Sequence, residues 1–182
     1  MLRKFLRSFL LLALAMPALC AAPQDSAPKN QSGKLTEAKL LTAQETGKLL
    51  PDAVFFRGQS APIQTRNSGG VQFVKGPLFL VALVDTSGYS SSVQEKYQAY
   101  LITETPITIE NHQLEPGAYG CGFLANNNFI VMDIGGHDLF SVHSTKDADL
   151  RRPSPLQVLK SSGGSGYRLY AGRDYVNFMQ AP

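Results

Sequence analysis

The segment DIGGHDLFSVH contains four side chains that can bind a metal ion: Asp133, His137, Asp138 and His143. Carboxylate and imidazole groups together suit zinc, manganese or iron. The spacing differs from that of HExxH, in which one helical face fixes both histidines. A strand that ends at a Gly-Gly turn also collects Asp and His for structural reasons. The segment therefore predicts either a divalent metal site or a polar turn, and a divalent metal is the one cofactor that the residues suggest.

The segment VDTSGYSSSVQEKYQAYL combines a carboxylate, several hydroxyls and two tyrosines. Four of its side chains are suited to contact a sugar or another polar ligand through hydrogen bonds and ring stacking: Asp85, Ser87, Tyr89 and Tyr97. Ser92 and Glu95 have the spacing of a capping box, which predicts a short helical turn. Because loops are polar for many reasons, the alternative to a ligand-binding loop is a solvated connection.

Nucleophilic catalysis has little support in the sequence. Cys121 has no histidine near it along the chain, so a small buried hydrophobic residue is the favoured interpretation. A serine hydrolase needs Ser, His and Asp in a set geometry, and the chain has no GxSxG motif. The sequence leaves enzymatic activity open and favours a non-catalytic protein.

The first 21 residues have the pattern of an export signal. A positive start (Arg3, Lys4 and Arg7) precedes the apolar run FLLLALAMPAL, which is too short to span a bilayer as a helix. We therefore expect residues 1–21 to be a signal peptide, and the mature protein to be secreted or periplasmic without a transmembrane segment. The residues that precede Cys20 depart from the usual lipoprotein pattern, which argues against lipidation.

Removal of the signal would leave the chain without net charge. Residues 1–21 hold three of the 17 basic residues and none of the 14 acidic ones, so 14 of each sign remain. A nucleic-acid binder usually presents a strong positive field. The composition therefore argues against nucleic acid and leaves a protein, a polysaccharide or a small ligand as the expected partner.

The remaining chain begins with a polar stretch and then one helical pattern. Residues 22–34 contain almost no large apolar side chain, which predicts a flexible leader. Thr42 and Glu45 have capping-box spacing and Pro51 ends the pattern, so we predict one short N-terminal helix. We expect residues 35–182 to form a single antiparallel β domain.

Short runs rich in β-branched and aromatic residues follow, separated by Gly, Pro, Asn and Ser. This pattern is typical of antiparallel strands joined by turns such as RNSGG, LANNN and SSGGSG. A parallel sheet would need helical crossovers. We therefore predict a mainly β protein, either an antiparallel β-sandwich or a barrel. The predicted strands are residues 54–56, 62–65, 71–74, 78–84, 97–103, 107–109, 118–124, 129–134, 156–160, 167–171 and 175–179.

Two predicted strands indicate how the core is packed. LFLVALV, residues 78–84, has no polar residue and is expected to be central and covered on both faces. In AYGCGFL, residues 118–124, Gly120 and Gly122 share one face, and glycine within a strand marks close approach of another backbone or of a ligand. In a barrel these glycines would face a cavity, whereas in a sandwich they would meet a second layer.

Parts of the chain resemble uncharacterised small secreted β-rich proteins of soil bacteria. The segment LEPGAYGCGFLANNNFIVMDIG is similar to a strand-turn-strand unit in which a Pro-Gly-x-Tyr turn opens one strand and an apolar strand follows. VFFRGQSAP and VDTSGYSSSVQEKYQAYLITE are similar to segments of the same proteins. The resemblance implies export and a β-rich domain, and these families carry no established catalytic residues.

Together these observations predict an exported bacterial protein of the cell envelope. The favoured function is a non-catalytic binding or interaction module for polar ligands or partners. One alternative is a metal-dependent enzyme that uses the segment 133–143. Another is a β-barrel carrier of a small apolar ligand, which would need internal space.

Overall fold

The computed structural model of the chain describes residues 37–182. The predicted signal peptide, Cys20 and the predicted leader lie outside the described residues. Within them most of the chain is β-strand, and two short helices interrupt it: α1 (Ala43–Thr46) and α2 (Ser91–Gln94). The strands are β1 (Lys39–Leu41), β2 (Ala53–Phe56), β3 (Gln59–Gln72), β4 (Leu78–Val84), β5 (Ala99–Thr103), β6 (Ile107–Ile109), β7 (His112–Leu114), β8 (Gly117–Leu124), β9 (Asn128–Met132), β10 (Asp138–His143), β11 (Thr145–Lys146), β12 (Ser154–Lys160), β13 (Tyr167–Gly172) and β14 (Asp174–Gln180).

The described strands form two antiparallel sheets. The larger sheet has eight strands in the order β1-β3-β4-β5-β8-β9-β10, with β2 paired to β3. The smaller sheet has six strands in the order β12-β13-β14-β6-β7, with β11 paired to β14. The predicted mainly antiparallel β fold is confirmed. The barrel alternative is wrong, because neither sheet pairs its first strand with its last, as closure requires.

One hydrophobic cluster draws side chains from both sheets. Phe79 of β4 stacks on Phe178 of β14 within it, with ring centroids 4.2 Å apart. Val81 faces the same cluster, whereas Leu80 and Ala82 point to the opposite side of β4 and pack in another cluster. The predicted central strand, covered on both faces, is therefore confirmed.

The two sheets also come together near their edges. His112 on β7 stacks on Phe140 on β10, with ring centroids 4.7 Å apart and planes 5° from parallel. Near the other edge, β3 approaches β12 so closely that a β-carbon at Gly69 would lie 3.1 Å from the backbone nitrogen of Val158. Side chains and close backbone packing thus join the sheet edges where no strand pairing does.

Helix α1 begins at the predicted capping box. The Glu45 backbone nitrogen donates to Thr42 Oγ1 at 3.3 Å, and the Thr42 backbone nitrogen donates to Glu45 Oε2 at 2.9 Å. These bonds satisfy two donors that a helix start leaves free. The α-helix ends at Thr46, with Gly47 as its C-cap, several residues before Pro51.

Three local predictions differ from the structure. RNSGG does not join two hairpin strands but lies within β3, at a register shift between Gln64 and Ser68. The Ser68 hydroxyl bonds to the Thr65 carbonyl and lies 2.6 Å from the Thr46 hydroxyl, so side chains satisfy polar groups at the irregularity. Helix α2 follows Ser90 as N-cap, without a side-chain capping hydrogen bond, instead of the predicted capping box.

The third difference is β10, which occupies a segment predicted as a turn. A turn is present at Ile134 and Gly135, but the chain then pairs with β9. Phe140 and Val142 alternate toward the shared cluster and explain the strand. The other two predicted links, LANNN and SSGGSG, do connect hairpin strands, β8 to β9 and β12 to β13.

Gly120 and Gly122 face occupied space. A β-carbon at Gly120 would overlap the ring of Phe56 and lie 3.0 Å from Tyr97 Cδ2. At Gly122 it would overlap the backbone carbonyl oxygen of Lys96. The structural interpretation of these glycines, close approach of another segment, is confirmed. The cavity that a carrier of apolar ligands would need on this face is filled.

Candidate functional site

The predicted ligand-binding loop is divided between surface and core. Asp85 and Ser87 are exposed, and the Ser87 backbone nitrogen donates to Asp85 Oδ1 at 3.0 Å, as in an Asx turn. This hydrogen bond lowers the pKa of Asp85. Tyr89 and Tyr97 are buried in a hydrophobic cluster with Phe56. The two tyrosines are therefore core residues, and Asp85 and Ser87 alone of the four remain at the surface.

The four predicted metal ligands do not converge on one point. His137 Nδ1 is 2.9 Å from Asp133 Oδ2, and Asp138 forms an ion pair with Lys96 at 2.6 Å. His143 stands at the far end of β10, roughly 16 Å beyond Asp138 for a strand that rises about 3.3 Å per residue. Among the described residues no group of three or more His, Cys, Asp or Glu side chains could hold a metal ion.

The Asp133 and His137 contact has a local structural role. The His137 backbone nitrogen donates to Asp133 Oδ1 at 2.9 Å, and this bond, followed by the side-chain bond, lowers the pKa of Asp133. Gly136 has a φ of 84°, and the aliphatic part of the Arg57 side chain packs against it. The pair therefore closes the turn between β9 and β10.

A polar cleft lies on the outer face of the smaller sheet. Because side chains alternate along β13, Leu169 points into the shared core, while Arg168 and Tyr170 lie on the opposite face of the strand, where Tyr170 is buried. Tyr175 of β14 stands directly opposite Tyr170. The Arg168 guanidinium carbon lies 4.3 Å from the centroid of the Tyr175 ring, a cation–π contact. We call this region, together with Asp147, the arginine–tyrosine cleft.

Hydrogen bonds connect the polar groups of the arginine–tyrosine cleft. Arg168 Nη1 donates to the Tyr170 hydroxyl at 3.2 Å, and that hydroxyl donates to Asp147 Oδ2 at 2.8 Å. Arg168 Nη1 is also 3.6 Å from the same carboxylate oxygen. Asp147 Oδ1 accepts a further bond from the Asp149 backbone nitrogen. The guanidinium is therefore held both by stacking and by its Nη1 end.

One wall of the cleft is the loop after β11, and Arg173 fixes its shape. Arg173 Nη1 donates to the carbonyl oxygens of Ala148 at 2.8 Å and of Leu150 at 2.7 Å. The Asp147 backbone nitrogen donates in turn to the Arg173 carbonyl at 2.9 Å. Backbone groups that a loop usually leaves to water are thus satisfied by one side chain.

The cleft has a volume of about 630 Å³ and a positive lining. Its charged side chains are four cationic and two acidic ones: Lys146, Arg151, Lys160 and Arg168, with Asp147 and Asp149. The hydrogen bond to Tyr170 raises the pKa of Arg168, and burial raises the pKa of Tyr170. At neutral pH, Arg168 is therefore a cation and Tyr170 a neutral hydroxyl.

A second cleft, of about 670 Å³, lies beside the turn between β8 and β9. Gln98 there donates to the Phe123 carbonyl at 2.9 Å and accepts from the Phe123 backbone nitrogen at 3.0 Å. Lys96 is paired with Asp138. Gln98 and Lys96 are thus committed to contacts within the chain, and the other charged side chains that line this cleft, Glu95 and Asp174, are acidic.

Sequence reasoning missed the arginine–tyrosine cleft. In YRLYAG, alternation places Arg168 and Tyr170 on one face, and the charge-dense run KDADLRR precedes β12. Those two patterns are the features that could have located it. Their connection depends on the pairing of β13 with β14 and on Arg173, which the sequence pattern does not reveal.

Comparison of the chain with protein-family models, with curated proteins and with solved structures gives no match. In residues 37–182 no helix is both long and apolar enough to cross a membrane.

Proposed function

We propose that the protein is an exported, non-catalytic module of the bacterial envelope that binds polar ligands in the arginine–tyrosine cleft. The observation that carries this proposal is the combination, in one cleft, of a stacked Arg168, a hydrogen-bonded Tyr170 and several cationic side chains. Binding sites typically place a few fixed polar groups within a concave surface. Export is supported by the basic and apolar pattern of residues 1–21.

The arrangement favours binding over chemistry because its polar groups hold one another. The Asp147 carboxylate accepts from both Tyr170 and the backbone of Asp149. Arg173 is directed at backbone carbonyls. Such fixed groups orient a ligand without the free base and nucleophile that acyl transfer or hydrolysis would need.

We also propose that the two sheets form a β-sandwich. Support comes from the cluster that contains Phe79 of the larger sheet and Phe178 of the smaller one, and from the contact of His112 with Phe140 at the sheet edges. In this arrangement the outer face of the smaller sheet is a rigid base for the cleft.

The proposal is tested by titrating the ¹⁵N-labelled full chain with neutral and acidic saccharides and following its amide resonances. We expect shifts in residues 146–151 and 167–175. Tyr170→Phe should weaken the response because it removes the hydroxyl between Arg168 and Asp147. Tyr100→Phe, on β5, is the matched control and should bind like the wild type. Absence of any shift in these two segments, with the saccharides and with inorganic phosphate alike, would reject the cleft as the binding site.

A further inference from the structure

The Arg168 guanidinium is engaged at its Nη1 end, and its buried Nε donor has no acceptor. Its Nη1 end contacts Tyr170 and Asp147. Its Nε atom is buried, and no described residue accepts a hydrogen bond from it. A buried donor without an acceptor is costly, and an acceptor that reaches it gains a charge-assisted bond.

The surroundings of that donor are positive. Lys146, Arg151 and Lys160 line the same cleft, are exposed, and form no ion pair with a described residue. Asp147 is already engaged by Tyr170. Since the chain outside the predicted signal has equal numbers of basic and acidic residues, this excess of positive charge belongs to the cleft rather than to the protein as a whole.

The geometry of the Arg168 guanidinium determines which ligand groups it can bind. The guanidinium carbon lies over the Tyr175 ring, and the N–H donors of arginine lie in the guanidinium plane, so a ligand that hydrogen-bonds to Arg168 approaches along the planar edge. The planar edge of arginine presents parallel N–H donors that match the two oxygens of a carboxylate or a phosphate. A neutral hydroxyl can accept from one donor at most.

We propose that the arginine–tyrosine cleft binds an oxyanion, the carboxylate or phosphate group of an acidic ligand, at the Nε edge of Arg168. Lys146 and Lys160 attract the group electrostatically, and Tyr170 holds the guanidinium in place. This inference rests on the proposed function, because it names the ligand class for the same cleft.

The test uses the ¹⁵N-labelled full chain and three probes: sodium glucuronate, glucose and inorganic phosphate. We expect glucuronate or phosphate to shift amides in residues 146–151 and 167–175, and we expect the affinity to fall as salt screens the charges. Binding of both anions indicates recognition of the oxyanion itself. Binding of one alone identifies a carboxylate or a phosphate as its source. Glucose should bind at least about tenfold more weakly than the better anion, because it lacks the charge-assisted bond.

Variants of the cleft distinguish the contribution of its positive charge to anion binding from that of the Arg168 geometry. The double variant Lys146→Gln and Lys160→Gln should weaken anion binding about threefold or more, since two exposed charges near the site are lost. The matched control, Lys48→Gln with Lys75→Gln, removes two lysines outside the cleft and should bind like the wild type. Arg168→Lys keeps the charge but loses the parallel N–H donors of the guanidinium, and should weaken anion binding about tenfold. Its melting temperature is measured to confirm folding.

The results show whether the oxyanion inference, the assignment to Arg168 or the proposed binding site is wrong. If glucose binds as tightly as glucuronate and shifts the same amides, the oxyanion inference is wrong while the polar-ligand site stands. If anions bind but the cleft variants and the control variants respond equally, the assignment to Arg168 is wrong. If none of the probes and none of the saccharides shifts the cleft amides, both proposals are wrong.

Discussion

The ring of Tyr97 stacks on the ring of Phe56, with centroids 3.8 Å apart and planes 14° from parallel. Both side chains are fully buried. No described residue exchanges a hydrogen bond with the Tyr97 hydroxyl. The contact joins β2 to the segment between α2 and β5, and it fills the space over Gly120. Tyr97 is thus a packing residue that brings an unsatisfied polar atom into the core.

Removal of that hydroxyl should stabilise the protein. Tyr97→Phe keeps the stacked ring and eliminates a buried group without a partner, so we expect the free energy of unfolding to rise by about 1 kcal/mol. Tyr89→Phe is the matched comparison, because the Tyr89 hydroxyl lies 3.0 Å from the Phe56 carbonyl oxygen and 3.1 Å from that of Gln59. It should lose about 1 kcal/mol. Urea unfolding measures both, and a destabilised Tyr97→Phe would contradict the burial argument.

The glycine face of β8 gives a second prediction. Gly120→Ala places a β-carbon against Phe56 and Tyr97, and we expect a loss of about 2 kcal/mol from overpacking. Gly88→Ala is the control: its β-carbon would meet only the Gln59 side chain, at 3.9 Å, and stability should change by less than about 0.5 kcal/mol. Thermal unfolding of the two variants measures both changes in stability. An unchanged melting temperature for Gly120→Ala would mean that the space above β8 is not filled.

Cys121 should make the protein sensitive to alkaline pH. Burial raises the pKa of its thiol to about 12, so the folded state keeps the proton where the unfolded state loses it. The resulting stability is fully present below the ordinary thiol pKa of about 8.5 and is progressively lost as pH rises above that value. We expect urea midpoints of a Cys20→Ser protein to fall between pH 8 and 9.5 more steeply than those of Cys20→Ser with Cys121→Ala.

The Cys121 thiol should be unreactive in the folded protein. In the Cys20→Ser background, a thiol reagent at pH 8 should react with Cys121 only after denaturant is added, because the group is buried and protonated. Rapid labelling without denaturant would show that this part of the core opens to solvent.

Helix α1 should weaken in acid. Hydrogen bonds from Lys39 and from the Thr42 backbone lower the pKa of Glu45 from 4.5 to about 2. A lowered carboxyl pKa stabilises the folded state above the ordinary value, and the contribution is lost as pH falls from about 4.5 toward 2. The melting temperature of the wild type should therefore approach that of Glu45→Gln over this range. Glu37→Gln removes an exposed carboxylate ahead of β1. The melting temperature of this variant should change with pH as that of the wild type does.

Patterns confined to one element were predictable from the sequence. The apolar run of β4 indicated burial on both faces, and Thr42 with Glu45 indicated the start of α1. The alternation around Gly120 indicated a close approach on one face of β8. Each depends on neighbours within a few positions, where steric and hydrogen-bonding rules act directly.

Features that depend on distant residues were not predictable. Strand β3 continues through RNSGG because Ser68 reaches the Thr65 carbonyl and Thr46 of α1. The arginine–tyrosine cleft exists because Arg173 holds a loop more than twenty positions away. Tyr89 and Tyr97 looked like ligand contacts because residue type does not reveal which side of a loop another strand will cover.

The position of β14 also determines when the fold can form. This strand follows every other described strand in the chain, yet it lies inside the smaller sheet, between β13 and β6. The pairing of Ile109 with Phe178 closes a span of about 70 residues, so the β6–β7 pair cannot join the rest of the smaller sheet until synthesis has passed residue 178. In a chain that emerges from the ribosome, β13 and the β6–β7 pair therefore remain unconnected until β14 has been made.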